Sequence, residues 1–98
     1  MTFVQLIEFK TTRYNEMNSL IDGWLRETEG KRTAAHAVMT QDRDHPGTYL
    51  EIVEFPSYDE AMANSNLPET SKFAEKMSAL CDGPPVFHNL DVVRDDRV

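Results

Sequence analysis

Residues 48–55, TYLEIVEF, run directly into PSYDE at 56–60, and this junction decides the fold. The first eight residues are β-branched, aromatic or aliphatic apart from two glutamates, which predicts a strand over 48–55. Ser57-Tyr-Asp-Glu60 is a capping-box pattern, in which the serine hydroxyl and the glutamate carboxylate satisfy each other's backbone N–H groups. A short helix should therefore start at Ser57 and run to about Asn64. Upstream, RDHPG at 43–47 reads as a turn, because Pro46 and Gly47 punctuate two apolar runs. Residues 33–42, TAAHAVMTQD, are then a strand that pairs with 48–55 as a hairpin.

Working outward, residues 2–10, TFVQLIEFK, form the first strand, with Phe3, Ile7 and Phe9 on one face and Val4 and Leu6 on the other. Tyr14, Met17, Leu20, Ile21, Trp24 and Leu25 recur at helical spacing, so a helix follows, with Thr12 as its expected cap and Gly30 as its stop. A further helix starts at Asn66, with that residue as cap and Pro68 in the first turn; its apolar stripe is Phe73, Met77, Leu80 and Cys81. Gly83-Pro84-Pro85 ends it, and 86–94, VFHNLDVVR, is the last strand. The order is βαββαβ with the second helix split in two, the ferredoxin-like arrangement of a four-stranded antiparallel sheet with helices on one face. The first and last strands are expected as parallel neighbours, reached through right-handed crossovers.

The chain has 98 residues, 10 Lys and Arg against 17 Asp and Glu, and a formal net charge of -7. This is one domain over 1–98, and a chain so short should struggle to enclose a deep pocket of its own. The acidic balance and scattered basic residues argue against nucleic acid or an anionic membrane as partner. No apolar run is long enough to span a bilayer, and the start, MTFVQLIEFKTTRYNE, lacks a secretory signal pattern. Cys81 is the lone cysteine, so no internal disulfide is expected and the cytoplasm is the default location.

A sheet with helices on one face and water on the other should alternate apolar and polar residues. Here both faces carry apolar side chains: Tyr49, Val53 and Phe55 oppose Leu50 and Ile52, and Val86, Leu90 and Val92 oppose Phe87 and Val93. Every segment long enough to cover the second face is already assigned. A second copy of the chain is the simplest cover, so a homodimer joined through the sheet face is expected.

The βαββαβ order, EGKRT at 29–33, EIVEFPSYDEAMANSNLPET at 51–70 and LCDGPPVFHNLDVV at 80–93 together resemble the dimeric α+β barrel superfamily, within it the antibiotic-biosynthesis-monooxygenase-like group. The resemblance covers nearly the whole chain and implies a pocket between helices and sheet. It also implies an aromatic or polyketide-like small molecule as ligand. The activity it suggests is cofactor-independent monooxygenation; a non-catalytic binding or stress-related barrel is the alternative, with an isomerase or cyclase third. Haem-degrading members of the superfamily carry a histidine on the long second helix, and 68–82 has none, so no haem or other cofactor is expected.

Two histidines lie in strands, His36 and His88, and each is a candidate general base because imidazole titrates near neutral pH. A histidine hydrogen-bonded in a core or dimer seam is the bland counterpart. His45, in the turn, should be solvated. Trp24, Tyr49, Asn64 and Asn66 are the candidate substrate-binding residues, matching the tryptophan, tyrosine and asparagine side chains that the resembled group uses. For Trp24 the competing role is core packing and for Asn66 helix capping. Glu8, Glu51, Glu54 and Asp91 also fall within strands. Glu51 and Glu54, three apart, must face opposite sides of their strand, and pairing with Arg13, Arg32 or Arg94 across a dimer is the expected role of either. Cys81 is expected to pack. No metal-ligand spacing and no Gly-rich phosphate loop is present.

Overall fold

The computed structural model describes residues 2–98. The strands are β1 (Phe3–Lys10), β2 (His36–Gln41), β3 (Thr48–Phe55) and β4 (Val86–Asp91), and the helices α1 (Tyr14–Glu27), α2 (Tyr58–Ser65) and α3 (Pro68–Leu80). The strands form one antiparallel sheet in the order β2-β3-β1-β4. This is the expected ferredoxin-like α+β fold. β3 spans the eight residues predicted for it, and β4 ends three residues earlier than predicted.

One expectation about pairing is corrected. β1 and β4 are neighbours, but they run antiparallel, with Phe3 opposite Asp91 and Glu8 opposite Val86. The parallel relationships created by the helical crossovers are β1 to β2 and β3 to β4. In each case another strand lies between the pair, so no parallel ladder forms.

Strand parity divides the sheet cleanly. Phe3, Ile7 and Phe9 of β1 and Val53 and Phe55 of β3 are buried with Met17 of α1, Ala61 of α2 and Met77 of α3, which makes this the helix-covered face. At one end of that core Tyr49 is sandwiched, its ring stacked 5.5 Å from Phe9 and 4.6 Å from Tyr14. The outer face carries Val4 and Leu6, Leu50 and Ile52, Val38, and Val86 and Leu90 in register across four strands. No element among the described residues covers it.

The helix ends show which local signals win. Ser57 caps α2 as expected, its Oγ accepting from the Glu60 N–H at 3.1 Å. Thr12 does not cap α1: Arg13 occupies that position, and Thr11 Oγ1 accepts the Arg13 N–H at 3.0 Å while donating to Leu80 O at 2.6 Å. Asn66 does not start α3. It closes α2, and extended Leu67 (ψ 133°) precedes Pro68, because a residue before proline is pushed out of the helical region. α1 stops at Thr28, before Gly30: the buried Thr28 hydroxyl donates to Trp24 O at 2.7 Å, as does its N–H at 2.9 Å. Gly47, at φ +91°, makes the β2–β3 turn, and its carbonyl accepts from Thr11 N–H at 3.0 Å.

Candidate functional site

Between the helices and the sheet lies a cavity of about 660 Å³, open on one side. All of its lining residues come from a single chain. Its floor is the middle of the helix-covered face, where one row across the sheet reads Met39, Glu51, Ile7, Phe87 and the next reads Ala37, Val53, Gln5, Asn89. Its roof comes from Ile21 and Trp24 of α1 and from Phe73, Ala74 and Met77 of α3, with Asn64 at the end of α2 and Arg32 at the rim. Phe87, on the edge strand β4, is half exposed.

Few polar groups reach this space, and most are held by the protein. Trp24 Nε1–H donates to Thr70 Oγ1 at 3.0 Å, tying α1 to α3, and its ring lies 5.9 Å from that of Phe73. Arg32 donates to Leu25 O at 2.7 Å, and its guanidinium stands 6.0 Å from the centre of the Trp24 ring. Buried Asn64 accepts the Thr33 N–H through Oδ1 at 3.3 Å, fixing its side chain and leaving its NH₂ group as a donor. Gln5 donates to Asn89 Oδ1 at 3.3 Å.

Glu51 is the exception. It is the carboxylate on the cavity floor, between Met39 and Ile7, and no residue among those described hydrogen-bonds or ion-pairs with it. Burial alone pushes its carboxyl up to about 7, because removing water disfavours the charged form and no cation compensates.

The sequence-predicted residues separate into two groups. Trp24 and Asn64 line the cavity. Tyr49 belongs instead to the aromatic stack with Phe9 and Tyr14, and Asn66 is exposed at the end of α2. His36 is among the residues that line the cavity, but by register its side chain is on the outer face, with Nδ1 3.6 Å from Glu54 Oε2. His88 also falls on the outer face, in the row Val38, Ile52, Leu6, His88. The two histidines thus share a face, and it is the one away from the cavity. His45 is exposed, 3.2 Å from Asp42.

Glu51 and Gln5 are two polar cavity residues that sequence reasoning did not propose as binding groups. Parity carried the signal: Glu51 is two residues from Tyr49 and from Val53, and Gln5 two from Phe3 and Ile7, so each had to share the face of its large apolar neighbours. Within the chain, neither Glu51 nor Glu54 meets Arg13, Arg32 or Arg94. Arg13 pairs with Glu16, Arg94 with Asp96, and Arg32 with the α1 carboxyl end.

The fold, a four-stranded antiparallel ferredoxin-like sheet with its helices on one face, is shared with solved structures named as antibiotic biosynthesis monooxygenases. SnoaB, a cofactor-independent oxygenase from Streptomyces nogalater, superposes with a TM-score of 0.81 at 13% identity, covering 96% of this chain and 95% of that one. A Caulobacter crescentus protein with the provisional name antibiotic biosynthesis monooxygenase gives 0.81 at 14% identity over 95% and 91% of the two chains. Rv0793 from Mycobacterium tuberculosis gives 0.80 at 11% identity over 99% and 100%. No protein-family model and no curated protein matches the sequence. No helix among the described residues is long and apolar enough to cross a membrane.

Proposed function

We propose that this protein is a homodimeric, cytoplasmic, cofactor-independent monooxygenase that takes an aromatic or polyketide-like molecule into the helix–sheet cavity. The carrying observation is the cavity itself: about 660 Å³, floored by Met39, Ile7 and Val53, roofed by Trp24 and Phe73, with a few polar groups converging on it. That size and balance suit a multi-ring aromatic compound. The likeness in fold to SnoaB, whose name states a cofactor-independent oxygenase, supports the same reading.

In such a reaction the substrate supplies the electrons. An electron-rich phenol or anthrone-type compound loses a proton, and its anion reduces oxygen. Overall a CH₂ group between aryl rings becomes a carbonyl, with one oxygen atom of O₂ retained and the other leaving as water. The protein's part is to hold the anion with neutral donors, here the Asn64 NH₂ group and the Gln5 amide. A histidine base, as expected from sequence, would need its ring in the cavity; the outer-face positions of His36 and His88 instead suit the seam between two copies.

A second reading has its own support. Trp24 Nε1 and Asn64 Oδ1, two of the polar atoms best placed for a ligand, are engaged in holding Thr70 and Thr33, which favours a non-catalytic binding barrel. Oxygen uptake with a panel of anthrones separates the two. Consumption matched by quinone formation is the expected result. Tight binding of those compounds without consumption overturns the oxygenase in favour of the binder.

A further inference from the structure

Glu51 sits on the inner face of β3, the strand that pairs with both β2 and β1, and its row across the sheet is otherwise Met39, Ile7 and Phe87. A carboxylate with a purely structural role at such a position is given a cation or backbone N–H groups. Glu51 has neither. Of the other strand carboxylates and imidazoles, Glu8, Glu54, His36 and His88 lie on the outer face by register, and Asp91, on the inner face opposite Phe3 at the end of β4, is outside the cavity lining. α1 presents Asn18, Ile21, Trp24 and Leu25 to the cavity, α3 presents Thr70, Ser71, Phe73, Ala74 and Met77, and α2 presents Asn64 and Ser65, none of them charged. Arg32 is the one Lys or Arg among the described residues that lines the cavity, and its guanidinium is engaged by Leu25 O and by Thr28 Oγ1 at 3.4 Å.

We infer that Glu51 is the proton acceptor of this cavity, and that it directs the site to neutral, weakly acidic substrates, phenols, enols or doubly benzylic C–H acids, and away from anionic ones. The inference rests on the proposed small-molecule role of the cavity but not on oxygen chemistry. In the step, the substrate's O–H or C–H bond breaks and its electron pair stays in the conjugated ring system. The proton moves to a Glu51 carboxylate oxygen, giving the neutral acid, and returns to solvent afterwards. The apolar row makes that carboxylate a stronger base than a solvated one, which brings it closer to the acidity of a phenol. An anionic substrate would face Glu51 with no free cation to offset the repulsion.

The test is anaerobic deuterium exchange of the CH₂ protons of anthrone in D₂O, followed by NMR with the full-length protein, beside binding of anthraquinone read from the fluorescence of Trp24. Wild-type protein should accelerate exchange, with a rate that rises with pH and levels off above about 7. Glu51→Gln should lower the rate about 100-fold while changing anthraquinone affinity by less than about threefold. Glu51→Asp should retain part of the exchange, and Glu54→Gln, on the outer face, all of it. Exchange that survives Glu51→Gln, or wild-type protein that binds anthraquinone without accelerating exchange, overturns the inference. Exchange that depends on Glu51 without oxygen uptake overturns the oxygenase reading and leaves the proton acceptor standing. Failure of wild-type protein to bind anthraquinone overturns the aromatic ligand class and the inference with it.

Discussion

Glu51 and Glu54, separated by two residues of β3, occupy opposite worlds: Glu51 lies on the cavity floor opposite Met39 and Ile7, and Glu54 lies on the outer face beside the His36 ring. Their titration should differ accordingly. Burial pushes the Glu51 carboxyl from 4.5 up to about 7, so the folded chain holds this proton more tightly than the unfolded chain does. The stability that the proton confers is fully present below about pH 4.5 and is lost as pH rises through about 7. The loss is at most about 4 kcal/mol, at about 1.4 kcal/mol per unit. Glu51→Gln should therefore flatten the fall in stability between about pH 5 and pH 8 and make the protein more stable at the upper end. Chemical denaturation at a series of pH values checks this, and a wild-type profile that stays flat over that range contradicts it.

The outer face makes a prediction of its own. Ile52 sits in its middle, in one row with Val38, Leu6 and His88, and Val38, Val86 and Leu90 are more than a third exposed in the single chain. With a second copy covering this face, light scattering should return about twice 11.2 kDa. Ile52→Asp would place an unpaired charge at the centre of the seam, at a cost of several kcal/mol, on the order of a whole small interface's surplus. The variant should become monomeric yet keep its helical circular dichroism. Wild-type protein that runs as a monomer at micromolar concentration contradicts the dimer.

What the sequence made legible was local. β3 was bounded correctly because TYLEIVEF is saturated with strand-forming residues, and α2 because Ser57 and Glu60 are spaced for a cap. Thr12 and Asn66 were misassigned as caps because a polar residue near a helix end is a necessary sign and not a sufficient one. Thr11, one residue earlier, meets the Arg13 N–H, and the proline at 68 forces Leu67 to be extended. The faces of His36 and His88 depend on which strands pair and in what register, which is a tertiary fact. Glu51 differs in kind, since parity within one strand already placed it among Tyr49, Val53 and Phe55. What hid it was the default assumption that a strand carboxylate finds an arginine.

Trp24 links the two helices that roof the cavity, through its Nε1–H to Thr70 Oγ1 at 3.0 Å. Trp24→Phe keeps an aromatic ring beside Phe73 but deletes the donor, leaving Thr70 to find water. The expected cost is about 1 kcal/mol in folding stability. Affinity for anthraquinone should fall more than stability does, because the smaller ring loosens the roof. Urea denaturation and isothermal titration calorimetry measure the two. Equal affinity in the variant would mean that the ligand does not rest against this part of the roof.

Thr28 is fully buried at the point where α1 stops, and both its hydroxyl and its N–H donate to Trp24 O, at 2.7 and 2.9 Å. Its carbonyl in turn accepts the N–H groups of Lys31 and Arg32, both at 2.9 Å, which turns the chain toward β2. Thr28→Val preserves the branched shape and removes only the hydroxyl. Trp24 O keeps its backbone donor, so no buried group is orphaned, and the cost should be about 1 kcal/mol. Thr28→Ala adds a small void and should cost about 2 kcal/mol. Arg32 loses its contact with Oγ1 in both variants but keeps the stronger one to Leu25 O, so its guanidinium should stay at the cavity rim and ligand affinity should change little. A stability series on the two variants, with anthraquinone titration of each, tests the separation: a large loss of affinity in Thr28→Val would show that the end of α1 sets the rim as well as the fold.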